Sequence, residues 1–107
     1  MHTHCLKEVK KMANVKDFYD YLNTIAPFDT QESWDNSGML VGDMSAKVHK
    51  AAVTLDITVK EIEKAREIGA DLIISHHPVI FSPIKAVTSG SVPYELVKSG
   101  INALCCH

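Results

Sequence analysis

Residues 51–78 read AAVTLDITVKEIEKAREIGADLIISHHP, and this stretch decides the fold. Ala51-Ala52-Val53-Thr54-Leu55 is a short apolar run that ends in Asp56, as a buried strand does. Thr58-Val59-Lys60-Glu61 then forms a capping box, in which hydroxyl and carboxylate each satisfy a backbone N–H that the helix start leaves open. The helix it opens carries Val59, Ile62, Ala65 and Ile68 on one face and closes at Gly69, a residue suited to a left-handed C-terminal cap. Asp71-Leu72-Ile73-Ile74-Ser75 is a second apolar strand, and His76-His77-Pro78 follows it at once.

Working outward, a loop holding Pro83, Ser89, Gly90 and Ser91 leads to a short helix from about Pro93 to Gly100. Ile101-Asn102-Ala103-Leu104-Cys105 is a third strand, and His107 is the last residue. Continuously apolar strands joined by helical crossovers mark a parallel sheet covered on both faces. The expected fold class is therefore α/β, a parallel βαβαβ core with flanking helices. Three strands make a small sheet, and the chain stops where a further crossover belongs. We therefore expect the N-terminal portion of a larger two-layer or three-layer α/β domain.

On the other side, Asn14 reads as an N-cap, with Val15, Phe18, Leu22 and Ile25 at helical spacing and Pro27 as the stop, giving a helix over 15–26. Phe28 to Asp43 is turn-rich, and Met39-Leu40-Val41-Gly42 within it is either a short edge strand or an ordered loop. Residues 1–12 are basic, have no apolar stretch behind them and are expected to be a disordered leader or extension. The domain then occupies 13–107.

The 46% hydrophobic content excludes disordered and collagen-like classes. A net charge of −2 gives no basic field for nucleic acid or an anionic membrane. No apolar run approaches the ~20 residues of a membrane span. Three cysteines, Cys5, Cys105 and Cys106, build no disulfide framework, so a cytoplasmic setting is expected. No phosphate-binding glycine loop, dinucleotide fingerprint or nucleophile elbow occurs.

Ligands of open parallel sheets bind beyond the carboxyl ends of the strands. Each of the three strands delivers a polar residue there: Asp56, then His76-His77, then His107. Adjacent imidazoles suit one or two metal ions, and Pro78 restricts the backbone of the pair. The competing readings are that the histidines only terminate a strand, that Asp56 caps the following helix, and that His107 is a frayed end. His2 and His4 read as a polar terminus. Trp34-Asp35-Asn36 is either a turn anchored by an indole or an aromatic and Asx group beside a ligand. Cys105 and Cys106 are expected to pack as small hydrophobes.

Three motifs in order, Ser33-Trp34-Asp35-Asn36-Ser37-Gly38-Met39-Leu40-Val41-Gly42, Leu55-Asp56-Ile57-Thr58 and Gly69 to Phe81 with Ser75-His76-His77-Pro78 at its centre, resemble the NGG-interacting-factor-three-like family, also known as type 2 GTP cyclohydrolase I homologues. The resemblance runs from about Val15 to His107. It implies a cytoplasmic α/β protein with two divalent metal ions (Zn, Fe, Mn or Ni) and a ring-shaped homohexamer. His76 and His77 match the family's metal-ligating pair, and His107 matches a further histidine. The family's aspartate ligand and its C-terminal His and Glu ligands have no counterpart within these residues. The expected function is a truncated, metal-dependent hydrolase on a nucleotide or phosphoester, with a non-catalytic metal- or nucleotide-binding regulator as the alternative. His107, Asp56, Trp34, Asp35 and Asn36 are expected near metal or substrate, and the catalytic residues are left open. This piece alone is expected to bind metal weakly or not at all, and to self-associate through open sheet edges.

Overall fold

The computed structural model describes residues 3–25, 38–80 and 84–106, with side chains described from residue 13. The elements in chain order are β1 (Thr3–Asn14), α1 (Val15–Ile25), β2 (Gly38–Val41), β3 (Lys47–Thr54), α2 (Val59–Ile68), β4 (Leu72–Ser75), α3 (Val92–Ser99) and β5 (Asn102–Cys105). They form one five-stranded sheet in the order β1-β3-β4-β5-β2. The three central strands are parallel, as the crossover lengths require, with Ala52 opposite Ile73 and Ile73 opposite Ala103. The fold class is thus a mixed α/β sheet with a parallel βαβαβ core. Both outer strands are antiparallel, β1 on β3 and β2 on β5.

Residues 1–12 require a correction. From Thr3 onward they belong to β1, whose backbone pairs from Thr3 opposite Thr54 to Asn14 opposite Lys47, with register shifts on the way. Ladder pairing satisfies main-chain groups along the open side of β3 and needs no apolar side chain. Composition alone therefore misread this segment as disordered. β1 and β2 flank the parallel core and are themselves the two edges of the sheet, β2 being the edge-strand alternative for Met39–Gly42.

Helices cover both faces. On one, Ala52, Ile73 and Ala103 pack with Ile62 and Ala65 of α2 and Leu96 of α3. On the other, Ala51, Leu72 and Leu104 pack with Val15, Phe18 and Leu22 of α1. The alternation follows the two-residue period of the strand, so each strand supplies both layers. Leu72, Leu96 and Leu104 are wholly buried, each contributing about 1.5–3 kcal/mol of apolar burial.

The helix ends follow their sequence signals. Asn14 accepts the Asp17 N–H at 3.0 Å while the Asp17 carboxylate accepts the Asn14 N–H at 3.0 Å, a reciprocal cap. Val15 and Lys16 donate their first-turn N–H groups to the carbonyls of Ala46 and Met44. The Thr58–Glu61 capping box forms, and Gly69 closes α2 at φ +79°, a conformation in which a Cβ is unfavourable. Pro27, the expected stop of α1, lies outside the described residues.

Candidate functional site

Parallel pairing brings the carboxyl ends of β3 and β4 side by side, and the ladder continues past both. The His76 N–H donates to the Thr54 carbonyl at 3.2 Å and the His77 N–H to the Leu55 carbonyl at 3.0 Å. Two main-chain bonds therefore lay His76-His77 along the segment that holds Asp56. Across this join, His77 Nδ1 lies 2.7 Å from Asp56 Oδ1. A carboxylate in its ionised form only accepts, so the contact suits a ring that donates from Nδ1, and such a ring, when neutral, carries its lone pair on Nε2. The two imidazole centroids are 5.0 Å apart, with planes tilted by 53°.

Both side chains of the pair are half exposed, His77 at 46% and Asp56 at 41%. A contact that wet contributes at most about 1 kcal/mol to stability, so its effect is on ring orientation. The helix-capping alternative for Asp56 is not what forms: the N-cap is Thr58, and the Asp56 carboxylate meets His77.

Next to His76 a hollow of about 530 Å³ is lined by Leu22, Val53, Leu55, Ile74, Ser75 and Cys106, with Thr54. Burial pushes the Cys106 thiol above its ordinary pKa, which disfavours the thiolate and any nucleophilic use of it.

The sequence expectation thus brings Asp56, His76 and His77 together at one edge. His107, Trp34, Asp35 and Asn36 lie outside the described residues. Among the described residues, no group of three or more His, Cys, Asp or Glu side chains is arranged to hold a metal ion. The donor set nevertheless fits a divalent ion in kind, because an imidazole whose Nδ1–H is held by a carboxylate is the form that coordinates through Nε2. Sequence reasoning missed Thr54 and Ser75, whose hydroxyls donate to carbonyls of this edge, and the part taken by Cys105 there. The available signal was their place as the last residues of three neighbouring strands.

The profile of the Duf34/NIF3 (NGG1p interacting factor 3) family matches residues 13–107. The chain belongs to this family. It is 40% identical over 87 residues to the Helicobacter pylori protein named GTP cyclohydrolase 1 type 2, across 81% of this chain and 35% of that protein. To a Clostridium perfringens GTP cyclohydrolase 1 type 2 homolog it is 34% identical over 97 residues, 87% of this chain and 37% of the relative. Among solved structures, the Staphylococcus aureus protein SA1388 superimposes with a TM-score of 0.85 at 35% identity, covering 89% of this chain and 28% of that one. Reduced HcgD from Methanocaldococcus jannaschii gives 0.82 at 28% identity, over 91% of this chain and 40% of that one. As a Duf34/NIF3 sequence, the chain spans about a third of the length of these curated relatives. No helix among the described residues is long and apolar enough to cross a membrane.

Proposed function

We propose that this chain supplies the histidine-bearing part of a divalent-metal-dependent hydrolase site of the GTP cyclohydrolase 1 type 2 kind, acting on a nucleotide or another phosphoester. The observation that carries the reading is the 2.7 Å contact of His77 Nδ1 with Asp56 Oδ1, beside His76, at the carboxyl ends of parallel strands. A divalent ion held there supplies Lewis acidity and a water activated at neutral pH. The chain's own part is to hold His76 and His77 as ligands and to fix the His77 ring through Asp56. His107 adds a third imidazole in this reading, and Trp34, Asp35 and Asn36 stand near metal or substrate. Two ions per site, a homohexameric ring and a cytoplasmic setting complete the proposal.

Structural and catalytic sites generally use three or four protein ligands. Two imidazoles leave most of the coordination sphere to water, so the 107-residue chain is expected to take up one ion weakly. Calorimetric titration with Zn²⁺ or Mn²⁺ tests this, with the binding heat lost in both His76→Ala and His77→Ala. Undiminished uptake by both variants would refute the assignment. Incubation of the metal-loaded protein with GTP and a phosphoester panel tests turnover. Retained metal without product would leave a metal-binding protein that does no chemistry.

A further inference from the structure

We propose that Thr54, Ser75 and Cys105 are positioning residues for this histidine edge, a line of short hydrogen-bond donors placed one per parallel strand. The register sets Thr54 opposite Ser75 and Ser75 opposite Cys105, so the three cross the sheet in a single row. All are buried, at 2%, 2% and 0% exposure. Each sends its donor to a carbonyl at the strand ends. Thr54 Oγ1 donates to the Asp56 carbonyl at 3.0 Å, Ser75 Oγ to the His77 carbonyl at 2.7 Å, and Cys105 Sγ to the His76 carbonyl at 3.4 Å. The three carbonyls so held belong to Asp56, His76 and His77, the residues whose side chains make the candidate site.

The physical effect is on peptide planes. Each histidine already donates its N–H to the neighbouring strand's continuation. With the carbonyl held as well, both main-chain polar groups of His76 and of His77 have partners. The peptide planes cannot rock, and the direction in which each Cβ leaves the backbone is fixed. A side chain with a single carbon between backbone and donor reaches only its own turn or the adjacent strand, so longer polar residues cannot replace these three. Apolar residues of similar size would fill the same space but take the donor from a partly buried carbonyl, at the net cost of one hydrogen bond each.

The functional weight of the row rests on the metal-site reading above, whereas its effect on geometry does not. The test is therefore made without metal first. On the 107-residue chain, amide hydrogen exchange and the ¹⁵N spectrum of the histidine rings are compared between wild type, Thr54→Val, Ser75→Ala and Cys105→Ala. Exchange at the His76 and His77 amides is expected to rise about five- to tenfold more than at Ile73 in the strand interior, the worth of one hydrogen bond. The His77 ring is expected to lose its preference for the Nδ1–H tautomer. Thr54→Ser, Ser75→Thr and Cys105→Ser keep a donor and are expected to restore both readouts, including where an apolar variant folds poorly. Acceleration spread evenly along β4 with an unchanged tautomer would overturn the proposal and leave the row as core packing. A Zn²⁺ titration of the same samples separates the two claims. Wild-type protein that shows the exchange pattern without taking up metal keeps the positioning row, which therefore stands or falls on the exchange and tautomer readouts alone.

Discussion

Gly42→Ala is the substitution whose cost the structure specifies most closely. Gly42 sits at φ +123°, and a Cβ built there lies 2.1 Å from Asn102 Oδ1 and 2.8 Å from Asn102 Cγ. An alanine at that φ costs about 1–3 kcal/mol in backbone strain. The clash adds a second loss, because Asn102 is buried and cannot swing away without consequence. Its Oδ1 accepts the Asp43 N–H at 2.8 Å and its Nδ2 donates to the Asp71 carbonyl at 2.9 Å. Giving up two such bonds costs about 1 kcal/mol each, and more if a group stays buried without a partner. The sum is about 3–5 kcal/mol, a large share of the ~5–15 kcal/mol that holds a domain together.

Gly69→Ala supplies the control. Gly69 also has positive φ, at +79°, but nothing lies within 4 Å of its added Cβ, so strain of about 1–2 kcal/mol is the whole expected cost. Urea unfolding followed by far-UV circular dichroism should therefore separate the two variants by about 2–3 kcal/mol. Combining Gly42→Ala with Asn102→Ala removes the atoms that clash, so the double variant should fall short of additivity by about 1–3 kcal/mol. A Gly42→Ala protein within about 1 kcal/mol of Gly69→Ala, or strict additivity in the cycle, refutes the close approach of β2 to β5 on which the sum is built.

Three further outcomes are expected. Asp56→Asn removes the carboxylate that holds the His77 ring, and metal affinity measured by calorimetry should fall about 10–100-fold with little change in melting temperature. Leu72→Ala empties a wholly buried site on the α1 face of β4 and should cost about 2–5 kcal/mol in the same urea assay. Burial raises the Cys106 thiol, so iodoacetamide at pH 8 should label it more slowly in the folded chain than in urea, with the rate rising only at higher pH. The sign for stability follows: this contribution is complete below the ordinary thiol pKa and is lost as pH climbs through the raised one, because unfolding frees the thiol to ionise.

The parallel core was legible because each of its elements carries its own boundary. The Thr58–Glu61 box opens α2, Gly69 closes it, and apolar runs of strand length stand on either side. Of the antiparallel outer strands, β2 was legible only as one of two alternatives and β1 not at all. Pairing of β1 depends on main-chain groups of β3 that composition cannot report, and β2 is only four residues long. At the site, His76-His77 was conspicuous as a doublet, and Asp56 followed from its place after the first strand. Thr54, Ser75 and Cys105 read as ordinary strand residues, since their importance arises only when three strands align. Register is a relation between distant segments, and no window along the chain contains it.

Register is also what the apolar core is least able to specify. With both faces covered, Ala52, Ile73 and Ala103 would still meet apolar neighbours after a shift of two residues, and the alternation of faces would be kept. Polar groups at the two ends of the sheet remove that freedom. At the amino end, the Asp71 carboxylate accepts the His49 N–H at 3.0 Å and the Lys50 N–H at 3.3 Å, while its carbonyl accepts from the Asn102 side chain at 2.9 Å. One residue thereby joins β3, β4 and β5. At the carboxyl end, the row of Thr54, Ser75 and Cys105 closes only in the same alignment. A slip of two residues would shift β4 by about 7 Å along β3 and part His77 from Asp56. Burial holds the sheet together, and the polar ends decide where along it the histidines stand.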